Sequence, residues 1–230
     1  MTDSAGATGR AANEGTFEVP GGHVSSLLVR PAGARVGLVL AHGAGAGMRH
    51  PFLTALSVRL ASFGVATFRY QFPYMEAGGG RPDAPAVAGA TVRAAVAQAA
   101  RELEGLPLVA GGKSFGGRMT STAAAEAPLP GVRGLAFVGF PLHPPGQPGT
   151  ARAEHLARVT VPMLFLQGTR DEFAELPLLE PVVAGLGARA KLHVVEGANH
   201  SFAVPKKSGR GLSDVLDELA RALSDWAAAL

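Results

Sequence analysis

Short, wholly apolar runs recur along this chain, each opening into a glycine-rich or polar loop with a helical pattern beyond it. Val36–Ala41 and Gly134–Gly139 are such runs, and Val65–Tyr70, Pro107–Ala110 and Met163–Gln167 are close to them. A strand with one wet face alternates apolar and polar residues, so a run without alternation marks a strand covered on both faces. Helical spacing fills the intervals: Pro51–Phe63, Ala86–Leu103, Arg118–Ala125, Phe173–Leu186 and Gly211–Ala229. Strands alternating with helices imply a parallel sheet between two helical layers. Thr16–Val19 and Val24–Val29 flank the turn Pro20-Gly21-Gly22 and add an antiparallel start, and Lys191–Val195 is the last strand. The sum is an α/β domain with a mostly parallel sheet of about eight strands.

The run before Gly111 breaks at Gly112-Lys113-Ser114-Phe115-Gly116, and an alanine-rich helical pattern follows. G-x-S-x-G between strand and helix exposes a serine hydroxyl at the tip of a sheet, with glycines where strand and helix crowd the turn. A phosphate-binding G-x-x-x-x-G-K-S loop shares the Lys-Ser ending but needs glycine at position 107, which is Pro107. With 31 glycines in the chain the pattern alone is not specific, so Ser114 must be judged by its partners.

A serine hydroxyl needs a base to take its proton, and the base needs a third group to hold its tautomer. In the α/β-hydrolase fold these arrive in the order Ser, Asp or Glu, His, each just past a strand. Met163–Gln167 empties through Gly168-Thr169-Arg170 onto Asp171, and the strand ending at Val195 leads through Glu196-Gly197-Ala198-Asn199 to His200. The predicted triad is therefore Ser114, Asp171 and His200. His23, His155 and His193 lie in surface-like contexts, whereas His42, His50 and His143 sit in loops that rim such a site. An oxyanion hole requires two donors: the Phe115 amide, and an amide from the loop His42-Gly43-Ala44-Gly45, either Ala44 or Gly45. Lys113, Tyr74 and His143 are the predicted substrate-binding residues, Lys113 by placing positive charge near a bound carboxylate. Arg69 and Arg81 flank the same long loop as Tyr74. For Arg118, anchoring a loop through carbonyl oxygens is the expected role. No spacing suggests a metal, and this chemistry needs no cofactor.

Composition narrows the classes. At 230 residues the chain suits one domain, here 16–230, with the small polar stretch Met1–Gly15 expected as a disordered tail. A net charge of +3 without a basic run argues against nucleic acid as a partner. Zero cysteines exclude disulfides and a thiol nucleophile. No secretory signal and no membrane-length apolar run is present, so a cytoplasmic location is expected. About twenty residues separate the strands ending near Gly139 and starting near Pro162, too few for a cap domain.

The motifs together extend the resemblance. Ala41-His42-Gly43-Ala44-Gly45, His50-Pro51-Phe52-Leu53, Phe72-Pro73-Tyr74-Met75, Gly112–Met119, Pro141–Gly146, Gln167–Asp171 and His200-Ser201-Phe202 resemble a branch of the α/β-hydrolase superfamily. That branch includes testis-expressed protein 30 and the hydrolase-like domain of the third subunit of the NSL histone acetyltransferase complex. Its bacterial members are often labelled dienelactone-hydrolase-like. The resemblance implies the hydrolase fold and the same triad. The leading expectation from the residues is a serine hydrolase acting on a small-molecule ester, thioester or similar acyl compound, with a non-catalytic, partner-binding scaffold as the alternative. Peptidase activity is a third reading, disfavoured by the missing cap. Neither oligomeric state nor substrate follows from the sequence.

Overall fold

The computed structural model describes residues 12–230. Eight strands form one sheet in the order β1-β2-β4-β3-β5-β6-β7-β8. They are β1 (Asn13–Val19), β2 (Gly22–Val29), β3 (Val36–Ala41), β4 (Val65–Tyr70), β5 (Leu108–Lys113), β6 (Val132–Val138), β7 (Met163–Arg170) and β8 (Ala190–Asn199). β2 pairs antiparallel with β1 and β4, and every other pairing is parallel. The helices are α1 (Pro51–Ser62), α2 (Pro73–Glu76), α3 (Pro85–Glu102), α4 (Phe115–Glu126), α5 (Leu176–Gly185) and α6 (Leu212–Ala227). This is the α/β-hydrolase fold expected from the alternation.

The tail expected over Met1–Gly15 falls for residues 1–11 outside the described residues. Asn13, Glu14 and Gly15, placed in that tail, instead pair with Leu28, Leu27 and Ser26. Polar Asn13 and Glu14 and the small Gly15 suit this position because β1 is an edge strand and all three residues are exposed. Several short elements are not foreshadowed by the sequence pattern. α2 is one turn, too short to show periodicity, and a 3-10 turn, Ala151–Arg158, lies inside the proline-rich connection from β6 to β7. α5 begins at Leu176 rather than Phe173, because residues 171–174 form a turn in which the Phe173 amide donates to Asp171 Oδ1.

The wholly apolar strands serve two cores. On β3, Val36, Leu38 and Leu40 pack with α1 and α6, while Val39 and Ala41 face the layer of α3, α4 and α5. Period-two alternation thus persists within an unbroken apolar run, with both phases buried. The chain reverses its direction of sheet growth at β3 and β5, which are neighbours. Open α/β sheets bind ligands in the crevice at such a switch point, beyond the carboxyl ends of the strands. Only the short 3-10 turn occupies the β6–β7 connection among the described residues, so no cap roofs that crevice. No helix among them is long and apolar enough to cross a membrane.

Candidate active site

Ser114 follows β5 directly and adopts φ 50° and ψ −116°, a conformation that L residues avoid. The glycines around it make the turn sterically feasible. A methyl carbon on Gly112 would lie 2.6 Å from the Ala41 carbonyl oxygen, and one on Gly116 would lie 2.5 Å from that of His42. Strand β3 and helix α4 therefore approach closely enough to hold Ser114 in its strained shape.

Asp171 and His200 emerge from β7 and β8 on the same edge. His200 Nε2 lies 2.9 Å from Ser114 Oγ, and His200 Nδ1 lies 2.7 and 2.9 Å from the two Asp171 oxygens. With Nδ1–H donating to the carboxylate, Nε2 is left as the acceptor for the serine proton. Asp171 is buried, and Gln167, fully buried on β7, donates through Nε2 to its Oδ2. Gln167 also accepts from the Phe140 amide at 2.9 Å. Sequence reading missed this residue, although a lone glutamine inside an apolar strand was a visible signal. The His200 turn is held by Asn199, whose Oδ1 accepts from the amides of Ser201 and Ala203, each at 3.0 Å. The Phe173 ring covers the imidazole with centroids 4.1 Å apart.

Burial lowers the His200 pKa most. The Asp171 hydrogen bond opposes that shift, and the Lys113 charge adds to it. Lys113 itself departs from expectation. Its methylene stem lines the cleft, but Nζ is buried without a hydrogen-bond partner, 5.6 Å from the Phe202 ring centroid. The amine lies beside His200 rather than facing the cleft: a methyl on Gly139 would sit 3.0 Å from Nζ and 3.5 Å from the imidazole. Burial brings the Lys113 pKa down to about 8. Buried in this way, the amine is not exposed to the cleft.

Three further expectations change for reasons of hydrogen bonding. The Gly45 amide donates to Tyr74 Oη at 3.0 Å, which leaves the Ala44 amide as the free one of the two that this loop was expected to offer. No hydrogen bond occupies the amides of Ala44 and Phe115 among the described residues. Tyr74, buried and engaged by Gly45, supports the loop and does not line the cleft. His143 also lies away from the cleft. Its ring is buried between the Pro144 carbonyl at Nδ1 and Glu175 Oε2 at Nε2, behind the turn that carries Phe173.

His42 serves the same loop from beneath. Its Nδ1 donates to the Gly43 oxygen at 2.7 Å, and its Nε2 accepts from the Phe72 amide at 3.1 Å. Burial brings its pKa down to about 4, which keeps the ring neutral. Arg69 is buried and ties the loop to α1, donating to the Met48 oxygen and Thr54 Oγ1, each at 2.9 Å. Arg81 is exposed. His155 is half-buried, not superficial, and its Nε2 lies 2.7 Å from Ser121 Oγ. Among the described residues no carboxylate pairs with this second imidazole, and Ser121 Oγ donates to the Arg118 oxygen, so it reads as a docking contact.

The cleft has two lobes that meet at Ser114. One, of about 280 Å³, is walled by Ala46, Phe52, Leu53 and Phe173, with His50 at its rim. The other, of about 330 Å³, runs between Phe115, Arg118, Met119, Pro141 and Arg152.

Comparison with known proteins agrees with this fold. The solved structure of an alpha-beta serine hydrolase homologue from Coxiella burnetii superposes with a TM-score of 0.73 at 22% identity, covering 93% of this chain and 98% of that one. A dienelactone hydrolase from Anabaena variabilis gives 0.73 at 21% identity, covering 94% and 95%. An a/b serine hydrolase without lid from Xanthomonas campestris gives 0.72 at 20% identity, again covering 94% and 95%. Such identities establish a shared fold. The model of an alpha/beta hydrolase domain family matches residues 34–228. With 195 of 230 residues inside that match, the chain belongs to the alpha/beta hydrolase family.

Proposed function

We propose that this protein is a serine hydrolase that cleaves a carboxylic ester, thioester or similar small acyl substrate through an acyl-enzyme on Ser114. The observation that carries the reading is the unbroken run of contacts from Asp171 through His200 to Ser114 Oγ, beside two unoccupied amides. Ser114 Oγ attacks the carbonyl carbon as its proton passes to His200 Nε2, and Asp171 stabilises the imidazolium. The negative oxygen is received by the amides of Phe115 and Ala44, each of which contributes about 3 kcal/mol to lowering the barrier. The C–O or C–S bond breaks as the proton moves to the leaving group. Water, deprotonated by His200, then releases the acid and restores Ser114. On its motif set, we place the chain with the branch that includes testis-expressed protein 30.

Labelling by a fluorophosphonate probe tests the reading. The expected result is a covalent adduct on the wild-type protein and none on Ser114→Ala. Absence of labelling on folded wild-type protein overturns it and favours a non-catalytic scaffold.

The pH profile tests the Lys113 geometry. The Lys113 charge lowers the His200 pKa, so its removal lets His200 hold a proton to higher pH. The acid limb of kcat/KM should therefore move to higher pH in Lys113→Met, which retains the stem. An unmoved limb would show that Lys113 serves packing alone.

A further inference from the structure

Arg118 and Arg152 are the unexplained charges of the cleft. Arg118 lies in the first turn of α4, its amide donating to the Ser114 oxygen at 3.1 Å, and its side chain lines the second lobe together with Ser114 and Phe115. The loop-anchoring role expected for it does not materialise. Neither guanidinium makes a hydrogen bond or an ion pair among the described residues, although other arginines of the chain do. The two are near enough that the charge of Arg152 adds to burial in lowering the Arg118 pKa. Two adjacent, partly buried cations without a counter-ion repel one another, and proteins normally pair such groups.

Their juxtaposition is built rather than incidental. Arg152 belongs to the 3-10 turn Ala151–Arg158, and that turn is fastened to α4. His155 meets Ser121 at 2.7 Å, while Ala153 and Leu156 are buried in the core shared with α4. Burial and the flanking Arg118 and Arg158 bring the His155 pKa down to about 4, so the fastening ring is neutral near pH 7. Asp83 is the one acidic residue of the lobe's lining, and its Oδ2 accepts from the Tyr74 amide at 3.2 Å. It lies within 4.0 Å of neither arginine's nitrogens, since no ion pair forms.

We propose that Arg118 and Arg152 form an anion subsite, and that the substrate of Ser114 is an ester or thioester bearing a carboxylate or similar anionic group on one side of the scissile bond. The planar fork of a guanidinium matches the two oxygens of such a group, and a pair of forks gives both charge and direction. The opposite lobe, lined by Phe52, Leu53 and Phe173, takes the apolar side of the same substrate. The inference deepens the hydrolase reading and rests on it.

Its test is made on Ser114→Ala protein, so that binding is read whether or not Ser114 is a nucleophile. Monoethyl glutarate, an anion at pH 7, is compared by titration calorimetry with the neutral diethyl ester. The expected result is affinity about tenfold or more higher for the monoester. Arg118→Gln and Arg152→Gln, each added to that background, should erase the difference. Arg152→Gln decides the matter if Arg118→Gln fails to fold. Equal affinities, binding of neither ester, or a preference that survives both substitutions would overturn the subsite. Failure of fluorophosphonate labelling alone would overturn the hydrolase reading and leave the titration result standing.

Discussion

Ser114→Ala and His200→Ala are each expected to lower kcat for an ester by about a millionfold, and the double variant to lose no more than either alone. The reason is that, in the proposed mechanism, the two side chains perform one proton transfer. Without Oγ there is nothing to deprotonate, and without Nε2 the hydroxyl keeps its proton. Asp171→Asn should cost less, about ten-thousandfold, because a tautomer-holding group acts only through the imidazole. Steady-state kinetics on the four variants with one chromogenic ester checks the set. Additive losses in the double variant would mean that Ser114 and His200 do not act together. A residual rate above the uncatalysed reaction should persist in all four, because the Ala44 and Phe115 amides remain in place.

Gly111→Ala is expected to be the most destabilising single-methyl change on strand β5. The added carbon would sit 1.8 Å from the Ala136 carbonyl oxygen, which belongs to the paired backbone of β6 rather than to a side chain that can turn aside. Relief requires the two central strands to separate, at a cost of about 3 kcal/mol or more. Urea unfolding should show a lower midpoint with an unchanged slope. Gly149→Ala is the control, because nothing lies within 4 Å of its added carbon. A midpoint for Gly111→Ala equal to that control would refute the close approach of β5 and β6.

The sheet was legible because its strands are short, apolar and separated by distinct helices. Val36–Ala41 and Val65–Tyr70 were read to the residue, since each is flanked by turns or loops. The Ser114–His200–Asp171 contacts were legible for a related reason: each of those residues sits at a fixed place just past a strand, and the sheet brings those places together. Tyr74, Gly45, His143 and Lys113 were misread because their roles depend on which hydrogen-bond partner lies across space. Nothing local to Gly45 says that a tyrosine 29 residues away takes its amide. The same limit hid Gln167 and the isolation of Arg118. The connection 139–162 gave no helical period because its turn is 3-10 and proline-flanked, yet it carries Arg152.

The turn over His200 has a consequence for how the imidazole is kept in place. Asp171 grips the edge of the ring at Nδ1, and the same carboxylate accepts the amide of Phe173, whose side chain covers the ring's face. The Phe173 oxygen is in turn held by the amides of Leu142 and His143, at 2.8 and 3.2 Å. One carboxylate thus prevents both sliding and swinging of the ring. An asparagine in its place still offers Oδ1 to the Phe173 amide, so the lid on the imidazole survives, while its NH2 donates to Nδ1 and holds the ring in the wrong tautomer. An alanine releases both at once, and the ring is then free to rotate away from Ser114 between turnovers.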